Sequence, residues 1–201
     1  MPVLSVVLAT TNQGKYDEIV EVLGEQPWNL VSLNDFPDCG PIREYGNSFD
    51  ENALIKAREA FRITGLTALA DDSGLAVDYL NGEPGVYSAR FAGPRADDEQ
   101  NNRKLLELLK GLPSGKRKAR FHCSVALVDE SGEHLCRGQV KGVILDEPRG
   151  GNGFGYDPLF YCPVLGKTFA EMERKEKNRV SHRGAAFLAM AIWMRNHKYG
   201  A

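Results

Sequence analysis

The stretch VLSVVLATTNQGKYDEIVEVL, residues 3–23, governs the architecture. Val3 to Ala9 is a continuous apolar run rich in β-branched residues, the pattern of a strand buried on both faces. It breaks at Thr10-Thr11-Asn12, after which Tyr16, Ile19, Val20, Val22 and Leu23 recur at roughly helical spacing. A buried strand that passes through a short polar turn into a helix opens an α/β fold.

Downstream, Trp28 to Leu33 reads as a second strand, and Asn34 to Gly46, rich in Asp, Pro and Gly, as a loop. Ser48-Phe49-Asp50-Glu51 has the form of a capping box, Ser48 at the N-cap and Glu51 at N3. The helix it opens should run to about Thr64 with Ala53, Leu54, Ala57, Ala60 and Phe61 inward. Leu66 to Ala70 reads as a strand ending in the turn Asp71-Asp72-Ser73-Gly74, followed by a short strand Leu75 to Val77. Asp97 to Lys110 is an amphipathic helix with Leu105, Leu106, Leu108 and Leu109 inward. Ala119–Val128 and Leu135–Leu145, with Ser131-Gly132 between them, predict an antiparallel hairpin. Gly150 to Asp157 is a glycine-rich loop, Leu159 to Cys162 a short strand, and a closing helix from near Ser181 packs Phe187, Leu188, Ala191, Ile192 and Met194. These elements predict one α/β domain over residues 1–201 with a mixed sheet and no separating linker.

Composition narrows the function. Of 201 residues, 42% are hydrophobic and 26% charged, ordinary values for a globular chain. A net charge of −2 argues against a nucleic-acid binder, which needs a basic surface to displace counterions, but leaves room for a small anionic ligand. Cys39, Cys123, Cys136 and Cys162 form no CxxC pair, so the expectation is reduced thiols and no zinc site. The start MPVLSVVLATTN has no basic leader or cleavage signal, and no apolar run reaches about 18 residues. The expected location is the cytoplasm, with no membrane partner.

Four constellations carry chemistry. Thr10, Thr11, Asn12, Gln13, Gly14 and Lys15 lie where a strand meets a helix N-terminus, whose unpaired N–H groups bind phosphate. Lys15 opposes the helix macrodipole there, and an anion would remove the conflict. The segment lacks the first glycine and the final hydroxyl residue of a P-loop; a capped helix with a solvated lysine is the alternative. Asp71 and Asp72 repel one another near a core, a cost offset if one binds a divalent cation. Successive strand residues face opposite sides, so one of the pair should face the site; a solvated turn is the alternative. In Gly150–Pro158, glycines allow close approach of a flat ligand while Phe154 and Tyr156 offer stacking faces worth about 1–3 kcal/mol per base; aromatics that merely cover the core are the alternative. Lys177, Ser181, His182 and Arg183 gather at the last helix, where Arg183 is electrostatically misplaced in the first turn unless something anionic or carbonyl-bearing lies opposite. A surface charge cluster is the alternative. His122, His134 and His197 lack metal-ligand spacing and read as structural, as does Glu51 in its capping box.

Taken together, ATTNQGK at 9–15, EYGNSFDENALIKA at 44–57, ADDSGLAVDYLNGEPGVYSARFAG at 70–93, FGYDP at 154–158 and EKNRVSHRGAA at 176–186 resemble the inosine triphosphate pyrophosphatase family, which acts on non-standard purine nucleotides. Thr11 stands where many members have glycine. The resemblance implies an elongated fold of two lobes flanking a cleft, a homodimer, and hydrolysis of ITP, dITP and XTP to monophosphate and pyrophosphate with Mg²⁺. It implies that Thr10 to Lys15 hold the triphosphate and that Asp72 is both a metal ligand and the residue that activates water. Glu44 would complete the metal site, with Ser73 beside the substrate. The base would lie among Phe154, Gly155, Tyr156, Asp157, Lys177, His182 and Arg183. Donors from Arg183 and the start of the last helix would favour a 6-oxo purine over adenine's 6-amino group. The rival readings are a related pyrophosphatase for modified pyrimidine or 7-methylguanine triphosphates, and a regulator that binds nucleotide without hydrolysis.

Overall fold

The computed structural model describes residues 4–36, 39–40, 42–197 and 199. Val3 of the expected first strand, and Pro37, Asp38 and Pro41 of the expected loop, lie outside them. The chain runs β1 (Ser5–Leu8), α1 (Gln13–Leu23), β2 (Asn29–Ser32), α2 (Phe49–Thr64), β3 (Thr67–Val77), α3 (Asp98–Leu108), β4 (Lys118–Asp129), β5 (Gly132–Ile144), β6 (Phe160–Cys162), β7 (Lys167–Thr168), α4 (Arg174–Val180) and α5 (His182–Arg195). The strands form one seven-stranded sheet ordered β2-β1-β3-β4-β5-β6-β7. β1 is parallel to both β2 and β3, with Ser5 opposite Asn29 and Val6 opposite Thr67. α1 and α2 supply the long crossovers that parallel neighbours require. Only Glu130 and Ser131 separate β4 from its neighbour β5, a connection that permits only an antiparallel hairpin. β6 is antiparallel to β5 and β7 to β6, so the sheet is mixed, as expected.

The chain forms two compact units: Met1–Asp72, Cys123–Gly138 and Arg183–Ala201 make the first, Ser73–His122 and Gln139–His182 the second. In the first, the period-two alternation of β1 sorts side chains between two cores. Val6 and Leu8 join Leu69 of β3, Ile19 of α1 and Phe187, Met190 and Met194 of α5. Val7 and Ala9 point the other way, joining Ala68 and Ala70 of β3 and Ala53, Ala57 and Ala60 of α2. The small alanines let α2 lie close to the sheet. The second unit has its own core of Leu75, Leu105, Leu109, Phe121, Tyr156, Phe160 and Phe169.

Several expected details change. β3 is one uninterrupted strand of 11 residues, so Asp71-Asp72-Ser73-Gly74 is not a turn. The two carboxylates stay in the buried ladder because cations from other elements neutralise them, as described below. In α5 the inward stripe is Ala186, Phe187, Met190, Ala191 and Met194, while Leu188 and Ile192, expected inside, are about half exposed. Val20 and Leu108 are likewise exposed, each on the outer side of its helix. Ser48 Oγ caps α2 by accepting from Glu51 N, but Glu51 accepts from Asn47 N at 2.6 Å rather than closing the box on Ser48. Leu33 leaves β2 for a 3₁₀ turn. β7 and α4, too short to show periodicity, are new. No helix among the described residues is long and apolar enough to cross a membrane, and the four cysteines are free thiols.

Candidate active site

In the first unit the site begins where β1 meets α1. Asn12 is the N-cap of α1, its Oδ1 accepting from Lys15 N at 2.9 Å, and the first turn carries no acidic residue. Thr10 Oγ1 accepts from Asn12 N, while Thr11, Asn12 and Gln13 are exposed. The turn therefore presents the positive end of α1 to solvent with nothing of its own to neutralise it. Lys15 reaches back to Asp71, its Nζ 3.2 Å from Oδ2.

The parity of β3 separates the acidic pair. Asp71 shares the side of Leu69 and meets Lys15 of α1 and Arg183 of α5. Asp72 shares the side of Ala68 and Ala70 and meets α2, accepting from Asn52 Nδ2 at 3.0 Å and lying 3.8 Å from Lys56 Nζ. Lys56 Nζ also donates to Glu44 Oε1 at 2.5 Å, so one ammonium links the two carboxylates assigned to the metal. The surroundings push the two aspartates apart. Burial raises the Asp71 carboxyl, but Lys15, Arg183 and Lys56 outweigh it and hold the group far below its ordinary value. For Asp72 burial prevails over Lys56 and Lys15, and its pKa is raised from its ordinary value. Burial pulls Lys56 down, yet Asp71, Asp72 and Glu44 carry its pKa above the lysine norm. Ser73, next along β3, is half-buried.

Arg183 occupies the first turn of α5, as expected, and the anion its position demands is internal. It is fully buried, donating from Nη1 to Glu18 Oε2 at 2.5 Å, with Nε 3.6 Å from Asp71. The sequence placed Arg183 at the base pocket; in the structure its side chain meets Glu18 and Asp71 of the first unit. Cys123, also beside Asp71, is an inert thiol, its pKa raised by burial first and by Asp71 second.

In the second unit the glycine-rich loop is held by its backbone. Gly153 has φ +76° and a Cβ there would sit 2.1 Å from Asp157 Oδ2, so no other residue fits. Asp157 Oδ2 accepts from Phe154 N at 3.0 Å and from Lys177 Nζ of α4 at 2.5 Å. Lys177 Nζ stands 4.8 Å from the centre of the Phe154 ring. Gly155 is gripped from α3 at both ends: its N–H donates to Asp98 at 2.6 Å and its carbonyl accepts from Asn102 at 2.9 Å. Tyr156 does not offer an open stacking face. It is buried in the core with its hydroxyl donating to Ser88 O, whereas Phe154 is half-buried. His182 is buried and stacked on Phe121, centroids 4.6 Å apart.

Sequence reasoning missed Lys56, Asn52 and Glu18 in the first unit and Asp98 and Asn102 in the second. A signal existed for the first two. Asn52 and Lys56 lie one turn apart beside the Ala53/Ala57/Ala60 stripe, polar residues on a face that must be buried.

Among the described residues no group of three or more His, Cys, Asp or Glu side chains is arranged to hold a metal ion. The donor chemistry nevertheless fits Mg²⁺. Glu44 and Asp72 offer hard carboxylate oxygens already drawn to one cation, and Mg²⁺ is commonly held by one or two carboxylates with substrate phosphates and water completing the shell.

Comparison with known proteins agrees over nearly the whole chain. A family model, the Ham1 family, matches residues 6–193. A dITP/XTP pyrophosphatase of Geobacter sulfurreducens is 54% identical over 181 residues, covering 90% of this chain and 91% of the relative. One from Desulforamulus reducens is 50% identical, covering 98% of both. Among solved structures, a HAM1 protein from Coxiella burnetii superposes with a TM-score of 0.88 at 43% identity, covering 96% of this chain and all of that one. A nucleoside-triphosphatase / dITP/XTP pyrophosphatase from Mycobacterium abscessus gives 0.76 at 46% identity, covering 93% of this chain and 98% of the other.

Proposed function

The chain belongs to the Ham1 family, and from that membership we propose that it hydrolyses non-standard purine nucleoside triphosphates, dITP, XTP and ITP, to the monophosphate and pyrophosphate. The observation that carries the proposal is the buried cluster in which Lys56 joins Glu44 to Asp72 while Lys15 joins the start of α1 to Asp71. A chain that only sensed nucleotide would have no need to bury so many charges together.

In this reading Thr10 to Lys15 bind the phosphate chain through the free N–H groups of α1 and the Lys15 ammonium. Lys56 offsets negative charge as it builds on the phosphate oxygens, a preorganised donor that needs no rearrangement during the reaction. Glu44 and Asp72 would hold Mg²⁺, which would neutralise phosphate charge and lower the pKa of water. Asp72, held by Asn52 and facing Lys56, orients the attacking water towards the α-phosphorus. Arg183 acts on Asp71 rather than on the base: it fixes that carboxylate as an anion and so holds Lys15 in place. Ser73 lies beside the substrate. In the second unit Phe154 stacks on the base, and Gly155, Tyr156, Asp157 and Lys177 shape the loop around it. Donors at the start of α5, where His182 lies, match a 6-oxo purine and leave adenine's 6-amino group facing donors.

The enzyme works in the cytoplasm as a homodimer in this proposal, which light scattering of the purified protein would check. The central test is pyrophosphate release from dITP, XTP, ITP, dATP, dGTP, dUTP and 7-methyl-GTP, with and without Mg²⁺. Rapid, Mg²⁺-dependent release from the first three supports the proposal. Preference for dUTP or 7-methyl-GTP, or binding without release, would replace it with one of the rival readings.

A further inference from the structure

Asn52 is completely buried, a costly place for a primary amide unless both its ends are satisfied. Both are. Its Nδ2 donates to Asp72 Oδ2 at 3.0 Å, and its Oδ1 accepts from the backbone N–H of Gly46 at 2.8 Å. One side chain on α2 therefore ties the acidic strand to the segment that carries Glu44, two residues before Gly46. Gly46 shows independently how close that contact is. A Cβ there would lie 2.7 Å from Glu51 Cβ, 2.8 Å from Asn52 Oδ1 and 3.0 Å from Asn52 N. The glycine is needed for proximity, so that its backbone can reach the amide.

We infer that Asn52, with Gly46, is a positioning clamp that fixes Glu44 and Asp72 at the separation a divalent cation requires. The inference rests on the proposed pyrophosphatase reading for the roles of those two carboxylates. Asn52 is suited to the task where a charged residue is not. As a neutral group it donates to one partner and accepts from the other without adding to the local charge, and its fixed amide plane sets the direction of both bonds. Lys56 links the same carboxylates as a cation that phosphate also attracts, whereas Asn52 is itself neutral and is held at both ends by Asp72 and Gly46. Residues that orient metal ligands in this way typically change metal affinity or activity about 10–100-fold when removed.

The test compares wild type with Asn52→Ala, Asn52→Asp and Gly46→Ala. Three quantities are read: Mn²⁺ affinity by electron paramagnetic resonance without nucleotide, the Mg²⁺ concentration for half-maximal pyrophosphate release, and the thermal unfolding midpoint. Asn52→Ala is expected to weaken Mn²⁺ binding about 10–100-fold. Asn52→Asp keeps the acceptor for Gly46 but sets a second carboxylate against Asp72, and should shift the Mg²⁺ requirement in a protein that still folds. Gly46→Ala leaves Asn52 intact and should raise the Mg²⁺ requirement by displacing the Glu44 segment. A role in stability alone would lower the midpoint while the folded variants bound Mn²⁺ as tightly as wild type, and that result overturns the clamp. If Asn52→Ala does not fold, the same comparison on Gly46→Ala decides. Failure of wild type to release pyrophosphate from dITP or XTP would instead sink the pyrophosphatase reading, whereas Mn²⁺ binding by wild type that is equal in the variants sinks only the clamp.

Discussion

The acidic cluster of the first unit and the glycine-rich loop of the second are built on opposite principles. In the cluster, side chains hold side chains: Lys15, Lys56 and Arg183 neutralise Asp71, Asp72, Glu44 and Glu18 in a buried setting. In the loop, side chains hold backbone: Asp157, itself paired with Lys177, grips the Phe154 amide, and Asp98 and Asn102 grip the two ends of Gly155. The first arrangement fixes charge and tolerates no missing partner, because an uncompensated buried ion is expensive. The second fixes shape, through separate hydrogen bonds each worth about 0.5–3 kcal/mol depending on whether a carboxylate takes part, and can give way gradually. Substitutions in the cluster should therefore strike turnover and stability, and those in the loop should strike substrate affinity.

The most severe challenge to that contrast is Asp72→Asn. It preserves size and removes the carboxylate, and kcat for dITP should fall at least about 10²–10⁴-fold while circular dichroism shows a folded protein with a lowered unfolding midpoint. Near-normal kcat would remove Asp72 from the chemistry. Next comes Arg183→Ala, which removes a buried cation from Glu18 and Asp71. Urea unfolding should register a loss of about 3–5 kcal/mol, and a loss below 1 kcal/mol would mean that the pair is not compensated as described. Gly153→Ala tests the other side. With φ +76° and a Cβ 2.1 Å from Asp157, it should cost about 1–3 kcal/mol of strain, seen as a higher KM for dITP with kcat largely kept. A fall in kcat at unchanged KM would erase the distinction between the two regions.

The smallest effect belongs to Arg137→Ala. Arg137 lies in the first unit but at the surface, bonding Asp50 of α2, which also accepts from Ser124. The Arg137 hydrogen bond, against the opposing effect of burial and with help from Ser124, holds the Asp50 carboxyl below its ordinary value. Its stabilisation is therefore full above the unfolded pKa of 3.8 and disappears as pH falls through the lower folded value. Denaturation at pH 7 should show a deficit of about 0.2–1 kcal/mol that closes below that range. A deficit independent of pH would mean packing, not charge, is responsible.

The sequence made the framework readable wherever a pattern ran long enough. β1 and α1, the alanine face of α2 and the β4–β5 hairpin each repeat their period several times. The Asp-Asp-Ser-Gly run misled because its composition is that of a turn. What keeps it extended is neutralisation by Lys15, Lys56 and Arg183, which lie far from it along the chain. The demand of Arg183 for an anion was visible from its place in a helix N-terminus, but nothing local could say that Glu18 and Asp71 supply it. Asn52 and Lys56 escaped notice because a search for amphipathic helices counts apolar residues and passes over polar ones on the same face.

The alternation of β3 has one last implication. Asp71 and Asp72 are neighbours in sequence, yet the sheet lies between their carboxylates, so the backbone works as a partition giving adjacent identical residues different careers. Their identities are then positional rather than chemical. Inserting a single residue early in the strand would move Asp71 into the place Asp72 now holds and Asp72 into that of Ser73, turning each acid to the opposite side of the sheet without altering a side chain.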